Sequence, residues 1–331
     1  MTAAPPLLDV DNLSVQFRTG RETVRAVNGA SFTVGRGEVV AVLGESGSGK
    51  SVTATTIMRL LQSPPGFVTG GTIRFDGADI LGLPPDRWRG LLGRRIGMVL
   101  QDALTALNPV FPVGWQVAEV FRVHGEADRR AAEERAVAIL ERVGIPAPRL
   151  RARDYPHQFS GGMRQRVMIA MAIALHPALL IADEPTTALD VTVQAQIMEL
   201  IAAISREDGM AVLLITHDIG VVVNHADKVC VMYAGRVVES GSVRDVLRRP
   251  AHPYTLALMN SAPRAQAKGR RLTPIVGSPP DLARLPGGCA FHPRCGFATE
   301  ICRTAAPPQV LVGERMSECH HAERVHGDAA A

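Results

Sequence analysis

The 331-residue chain is poor in cysteine, with five, and in lysine, with only Lys50, Lys228 and Lys268. It also lacks a long apolar run. Its most apolar stretch, VMIAMAIALHPALLIADEP, is broken by His176 and Pro177 and closed by Asp183 and Glu184. Nothing approaches the roughly 20 uninterrupted apolar residues that span a bilayer. The N-terminus, MTAAPPLLDVDN, has neither a basic segment nor a following apolar run, so it does not read as a signal peptide. These absences predict a cytosolic location, where thiols stay reduced. Clustered charge is missing too. The net charge is +4 and the pI about 9.0, but bases and acids interleave, as in HGEADRRAAEER. That pattern describes a solvated mixed-charge surface and argues against a nucleic-acid partner.

What is present is a core. Hydrophobic residues make up 46% and charged residues 21%, the balance of a folded globular chain long enough for one large domain and an appendage. The apolar runs VVAVLG (39–44), LLIAD (179–183) and AVLLIT (211–216) read as buried strands, each followed by a helical pattern. Alternation of that kind predicts an α/β fold with a largely parallel sheet. A helical insert, roughly residues 101–176, lies between the first two strands. Its clearest helix starts at Asp128 as N-cap, carries Ala136, Ile139, Leu140 and Val143 on one face, and stops at Gly144. Near residue 250 the composition shifts, because the last 82 residues hold ten of the 23 prolines and four of the five cysteines. The predicted domains are 1–249 and a small loop-rich 250–331.

The segment GESGSGKS follows the strand VVAVL and precedes the helical SVTATTIMRLL, giving strand–GxxxxGK[ST]–helix. In such a loop Gly44, Ser46, Gly47, Ser48 and Gly49 let backbone amides wrap phosphates. Lys50 reaches the β- and γ-phosphates, and the Ser51 hydroxyl holds Mg²⁺. Downstream, LLIADEP presents Asp183 at a strand tip as a second metal ligand, with Glu184 next to it to activate water.

FSGGMRQR narrows the class. With Gln101 in VLQD, Ser160-Gly161-Gly162, TTALD ending at Asp190, and His217 in ITHD, the first 250 residues resemble the ATP-binding-cassette family. Met163 departs from the usual glutamine of that family's signature. The resemblance implies two cassettes paired head to tail, each ATP lying between one phosphate loop and the other chain's signature. It assigns Glu184 to the attacking water, His217 to the γ-phosphate, Gln101 to sensing Mg²⁺, and Phe17 to stacking on adenine. RRPAHPYTLALMNSAP (248–263) further resembles the tail of dipeptide and oligopeptide importer ATPases, and FSGGMRQRVMIA and QDALTALNP resemble the "D" type subunit of that group. That resemblance implies a related "F" type second ATPase subunit, two integral membrane permease subunits and an extracytoplasmic peptide-binding protein. The chain then sits peripherally, through the permease, on the cytoplasmic face of the inner membrane. ALTALNPVFPVGWQV (103–117) forms part of a groove for a permease coupling helix, or else ordinary core. A nickel or other small-solute cargo, and a non-transport cassette ATPase, are the alternatives.

Cys289, Cys295, Cys302 and Cys319 are separated by five, six and sixteen residues. Disulfides, structural zinc, an iron–sulfur cluster and unconnected thiols all stay open on spacing alone, which matches neither short C-x₂₋₄-C zinc pairs nor a compact ferredoxin run. His292, His320 and His321 keep zinc in play. The family resemblance implies a structural [4Fe–4S] cluster on the four cysteines.

Overall fold

The computed structural model describes residues 5–20, 22–261 and 274–328. Lys268 and the last two residues of the 248–263 segment lie outside them. In chain order the strands are β1 (Leu8–Thr19), β2 (Glu22–Val34), β3 (Val39–Leu43), β4 (Gly66–Phe75), β5 (Ala78–Asp79) and β6 (Ile96–Val99). They continue with β7 (Leu179–Asp183), β8 (Ala211–Thr216), β9 (Lys228–Tyr233), β10 (Arg236–Ser242), β11 (Gln309–Val312) and β12 (Arg315–Glu318). The chain divides into two compact units, one from Met1–Val34, Val39–Leu81 and Ile215–Ala331, the other from Gly35–Glu38 and Gly82–Leu214.

The first unit holds an antiparallel sheet in the order β2-β1-β4-β5 and the strand run β11-β12-β10-β9-β3. β3 pairs with β9 in parallel, Val40 opposite Lys228 and Leu43 opposite Val231. VVAVL is buried at four of its five positions, as a strand covered on both faces must be. Its core gathers Leu43, Val229, Val231, Tyr233, Val246, Tyr254 and Phe291, so residues from beyond position 250 complete the packing around β3 and β9. Burying a side chain the size of Phe291 contributes about 1.5–3 kcal/mol.

The second unit holds the run β8-β7-β6, with β6 and β7 parallel, Ile96 opposite Leu179. Every residue of LLIAD and AVLLIT is buried. Helices Val113–Val123, Arg129–Arg142 and Gly161–Ile173 pack against one another beyond it. As the sequence predicts, Asp128 caps Arg129–Arg142 by accepting from Ala131 N at 2.9 Å, with Ala132, Ala136, Ile139 and Leu140 buried. The chain then turns at Gly144, φ 76°. In the 103–117 segment, Leu107, Val113 and Val117 are core. Val110, Phe111 and Trp115 are exposed, the two rings stacked at 4.3 Å.

Candidate nucleotide site and cysteine-lined tail

In the first unit the phosphate loop links β3 to helix Lys50–Ile57. Glycine is obligatory at two of its positions. A Cβ on Gly49, whose φ is +105°, would stand 2.4 Å from the Ala26 carbonyl oxygen, and one on Gly44 would stand 2.3 Å from that of Met232. Both backbones therefore run against their neighbours with no room for a side chain. Lys50 is buried, and its Nζ donates to the carbonyls of Gly44 (2.8 Å) and Glu45 (2.9 Å). Ser48 Oγ is buried without a hydrogen-bond partner among the described residues, an orphan that a bound group in the loop would satisfy. Ser46 and Gly47 are exposed and Ser51 is half-buried. Phe17 is half-buried on β1, opposite Val24 and Gly66. His217 is exposed just after β8, where Asp218 caps helix Ile219–His225 through Gly220 N at 2.7 Å.

In the second unit Asp183 is the buried tip of β7. Glu184 follows in the left-handed region, φ 45°, unusual for a residue with a Cβ and a mark of backbone held by its surroundings. Its Oε2 accepts from Gln101 Nε2 at 3.2 Å and Thr187 Oγ1 at 2.9 Å. Two residues read separately from the sequence, Gln101 and Glu184, are thus in direct contact. Ser160 caps helix Gly161–Ile173, its hydroxyl accepting from Met163 N at 3.3 Å, so Gly161 and Gly162 form the first turn. Asp190 caps helix Val191–Asp208 by accepting from Thr192 N (3.1 Å) and Val193 N (3.0 Å).

The four tail cysteines, which span 31 residues of sequence, line one small cavity with His252 and Phe291. None of the four is joined in a disulfide, which sets the disulfide reading aside. Cys295 Sγ accepts from Phe297 N at 3.4 Å and Cys319 Sγ from His321 N at 3.3 Å. Burial pushes the Cys289 thiol up, Cys295 to about 11 and Cys319 to about 12, so these sulfurs stand as neutral thiols. As they stand, no group of three or more His, Cys, Asp or Glu among the described residues is arranged to hold a metal ion. The histidines are already engaged: His292 donates to Cys289 O (3.0 Å), His320 to Ala305 O (3.1 Å), and His321 bonds Thr299 Oγ1 (2.8 Å).

Sequence reasoning missed a set of contacts reaching the phosphate loop from the tail. Glu45 N donates to Tyr254 Oη at 2.9 Å, and the Glu45 carboxylate receives both Arg294 Nη1 (2.7 Å) and Nη2 (3.1 Å). Burial of Tyr254 pushes its phenol well above the usual range, and the Glu45 carboxylate raises the Arg294 guanidinium further. Beside them His252 is fully buried, pushed down to about 3, and its neutral Nδ1 accepts from Tyr254 N at 3.0 Å. The signal was in HPYT, whose histidine and tyrosine are the two residues so placed, but the ring partners only meet once the chain folds.

Among the described residues no helix is long and apolar enough to cross a membrane. A family model for the ABC transporter matches residues 27–187, and one for the oligopeptide/dipeptide transporter C-terminal region matches residues 238–302. The chain is 47% identical to the oligopeptide transport ATP-binding protein OppD of Bacillus subtilis, over 98% of this chain and 90% of that protein. It is 46% identical to the dipeptide transport ATP-binding protein DppD of Haemophilus influenzae, over 95% of each. Among solved structures, a dimeric ATP-binding cassette in a post-hydrolysis state bound to ADP and Pi is similar with TM-score 0.64. It is 29% identical and covers 72% of this chain and 99% of its own. A buried phosphate-loop lysine, an orphaned serine beside it, a carboxylate-tipped strand and these relatives agree: the chain belongs to the ATP-binding subunits of the ABC transporter family, which use ATP with Mg²⁺ alongside membrane permeases.

Proposed function

We propose that the protein hydrolyses ATP to power uptake of dipeptides and oligopeptides through a membrane permease. The observation that carries this is the phosphate loop with Lys50 buried inside it, its ammonium resting on loop carbonyls that a triphosphate would replace. Lys50 binds the β- and γ-phosphates, and the loop amides from Ser46 to Gly49 wrap them. Ser51, Gln101 and Asp183 serve the metal. Mg²⁺, when bound, neutralises phosphate charge and polarises the γ-phosphoryl group. Glu184 accepts a proton from the attacking water, its carboxylate held by Gln101 and Thr187. His217 contacts the γ-phosphate, and Phe17 stacks on adenine. Ser160, Gly161 and Gly162 address the ATP of a second cassette, with Asp190 near the same junction. That second cassette is a related "F" type subunit. Two permease subunits and an extracytoplasmic peptide-binding protein complete the importer, at the cytoplasmic face of the inner membrane. The exposed Val110, Phe111 and Trp115 are the apolar face offered to the permease.

In the assembled importer, Glu184→Gln should retain ATP affinity while turnover falls roughly 10²–10⁴-fold, the scale of lost general-base help. Near-normal hydrolysis by that variant would reject the assignment.

The reading also places a structural [4Fe–4S] cluster on Cys289, Cys295, Cys302 and Cys319. Four free thiols on one cavity and the amide-to-sulfur bonds at Cys295 and Cys319 support it. Four thiolates are the ligand number for such a cluster, and loading must release the thiol protons that burial favours at Cys289, Cys295 and Cys319. The engaged rings of His292, His320 and His321 make a zinc site that uses them the weaker alternative. Anaerobically purified protein should be brown with about four irons per chain, and Cys295→Ser should bleach it. A colourless preparation carrying stoichiometric zinc decides against the cluster.

A further inference from the structure

The tail does more to the phosphate loop than abut it. Glu45 stands at a position of GxxxxGK[ST] where the motif accepts any residue, yet it is held at two points. Its amide donates to Tyr254 Oη, and its carboxylate takes the forked guanidinium of Arg294 at 2.7 and 3.1 Å. Arg294 is itself fixed. Its side chain is only 5% exposed, and its Nε donates to Val276 O at 3.0 Å. The guanidinium carbon lies 5.9 Å from the Tyr233 ring centre and 6.0 Å from that of Phe291. Those rings and Tyr254 pack together, with centroids 4.5 to 5.4 Å apart. A bidentate pair of this kind constrains both distance and plane.

The position of Arg294 follows from the cysteines. It closes the turn His292–Arg294 between Cys289 and Cys295, in which His292 N donates to Cys289 O (3.0 Å) and Arg294 N to Phe291 O (3.0 Å). At the other end of the relay, Glu45 O accepts from Lys50 Nζ at 2.9 Å. The path therefore runs from the cysteine-lined turn, through one arginine, to the residue whose carbonyl holds the phosphate-binding lysine.

We infer that Arg294 is a positioning residue for ATP binding, setting the geometry of the phosphate loop through Glu45 and making nucleotide affinity depend on the cysteine-lined turn. This rests on the ATPase reading of the loop. Removing one partner leaves the other's charge partly buried and unmatched, so the loop relaxes away from its binding shape.

The test is a double-mutant cycle on the full chain, with ATP binding by calorimetry and KM and kcat in the assembled importer. Arg294→Gln and Glu45→Gln should each raise the Kd and KM for ATP about tenfold, which is about 1.4 kcal/mol. Turnover at saturation should fall no more than about twofold, and the double variant should be no worse than the worse single one. Arg294→Lys, which keeps the charge but not the fork, should recover only part of the affinity. Additive losses in the double variant overturn the inference. So does an unchanged KM in Glu45→Gln, a half-exposed loop position whose reading does not depend on whether Arg294→Gln folds. Wild-type protein that fails to bind ATP would defeat the ATPase reading instead. Wild type that binds with normal variants defeats only the role of Arg294.

Discussion

Two helices of this protein start from glycine-rich segments, and they finish their first turns in opposite ways. Helix Lys50–Ile57 begins at Gly49, which has no side chain to cap with and sits at φ 105°. Helix Gly161–Ile173 begins at Ser160, whose hydroxyl already receives Met163 N. Both are helix N-termini, with the positive end of a helix dipole and amides that lack intrahelical partners. The first is shaped by backbone packed against Ala26 and Met232 and by the Glu45–Arg294 pair, leaving its opening to whatever enters the loop. The second is closed by its own residue. Under the proposed function, the site that holds phosphate within one chain is uncapped, whereas the one that addresses a second chain is satisfied by its own residue.

The sharpest way to break this contrast is Gly49→Ala. The added Cβ meets the Ala26 carbonyl oxygen at 2.4 Å in a backbone conformation that alanine resists, so the loop must move. ATP affinity should fall about 10²-fold, as a misplacement near 1 Å can produce, measured by ATP titration of the full chain. Binding within threefold of wild type would show the loop tolerates displacement, and the contrast would fail.

A smaller effect is expected at the other helix. Ser160→Ala removes a cap and should destabilise the protein by about 1 kcal/mol, whereas Ser160→Gly should lose only a few tenths. Both lack the hydroxyl, so turnover in the assembled importer should fall alike in the two. Denaturant melts separate them. No stability loss in either variant would mean that the Ser160–Met163 bond contributes nothing as a cap.

The residues that made these sites legible are those whose chemistry is local. VVAVL, LLIAD and AVLLIT read as buried strands because every residue faces protein on one side or the other. Asp128 and Gly144 bracket a helix because capping and left-handed turns depend on the residues themselves. β1 and β2 were not legible, because register shifts around Val10, Leu13 and Ser14 interrupt the two-residue alternation that marks a half-buried strand. The tail was read as loop-rich because β11 and β12 are four residues each, joined through Gly313 at φ 64°, too short to show a period. The Glu45–Arg294 pair joins residues 249 apart, and no local pattern announces a contact of that span. The glycines and lysine of the phosphate loop and the acids of LLIADEP could be named from pattern, and Gly161, Gly162 and Asp190 from the family resemblance. What holds them in place could not.

The strand β12 has a consequence beyond the nucleotide. It pairs with β10 only at Glu239–Ser317 and Ser240–Met316. From the same strand, Arg315 donates to the carbonyl of Asp245 at 2.6 Å and also to that of Arg249, and Ser317 Oγ donates to Ala251 O at 2.9 Å. A gene trimmed after Arg249, where the composition changes, would therefore not release a tidy cassette. It would leave the outer edge of β10 unpaired and remove the Arg315 donor from the Asp245 and Arg249 carbonyls, the open edge being a template for edge-to-edge aggregation. For recombinant work and for domain shuffling alike, the tail is a selvedge woven into the cloth, and chimeras that exchange cassettes should carry it along.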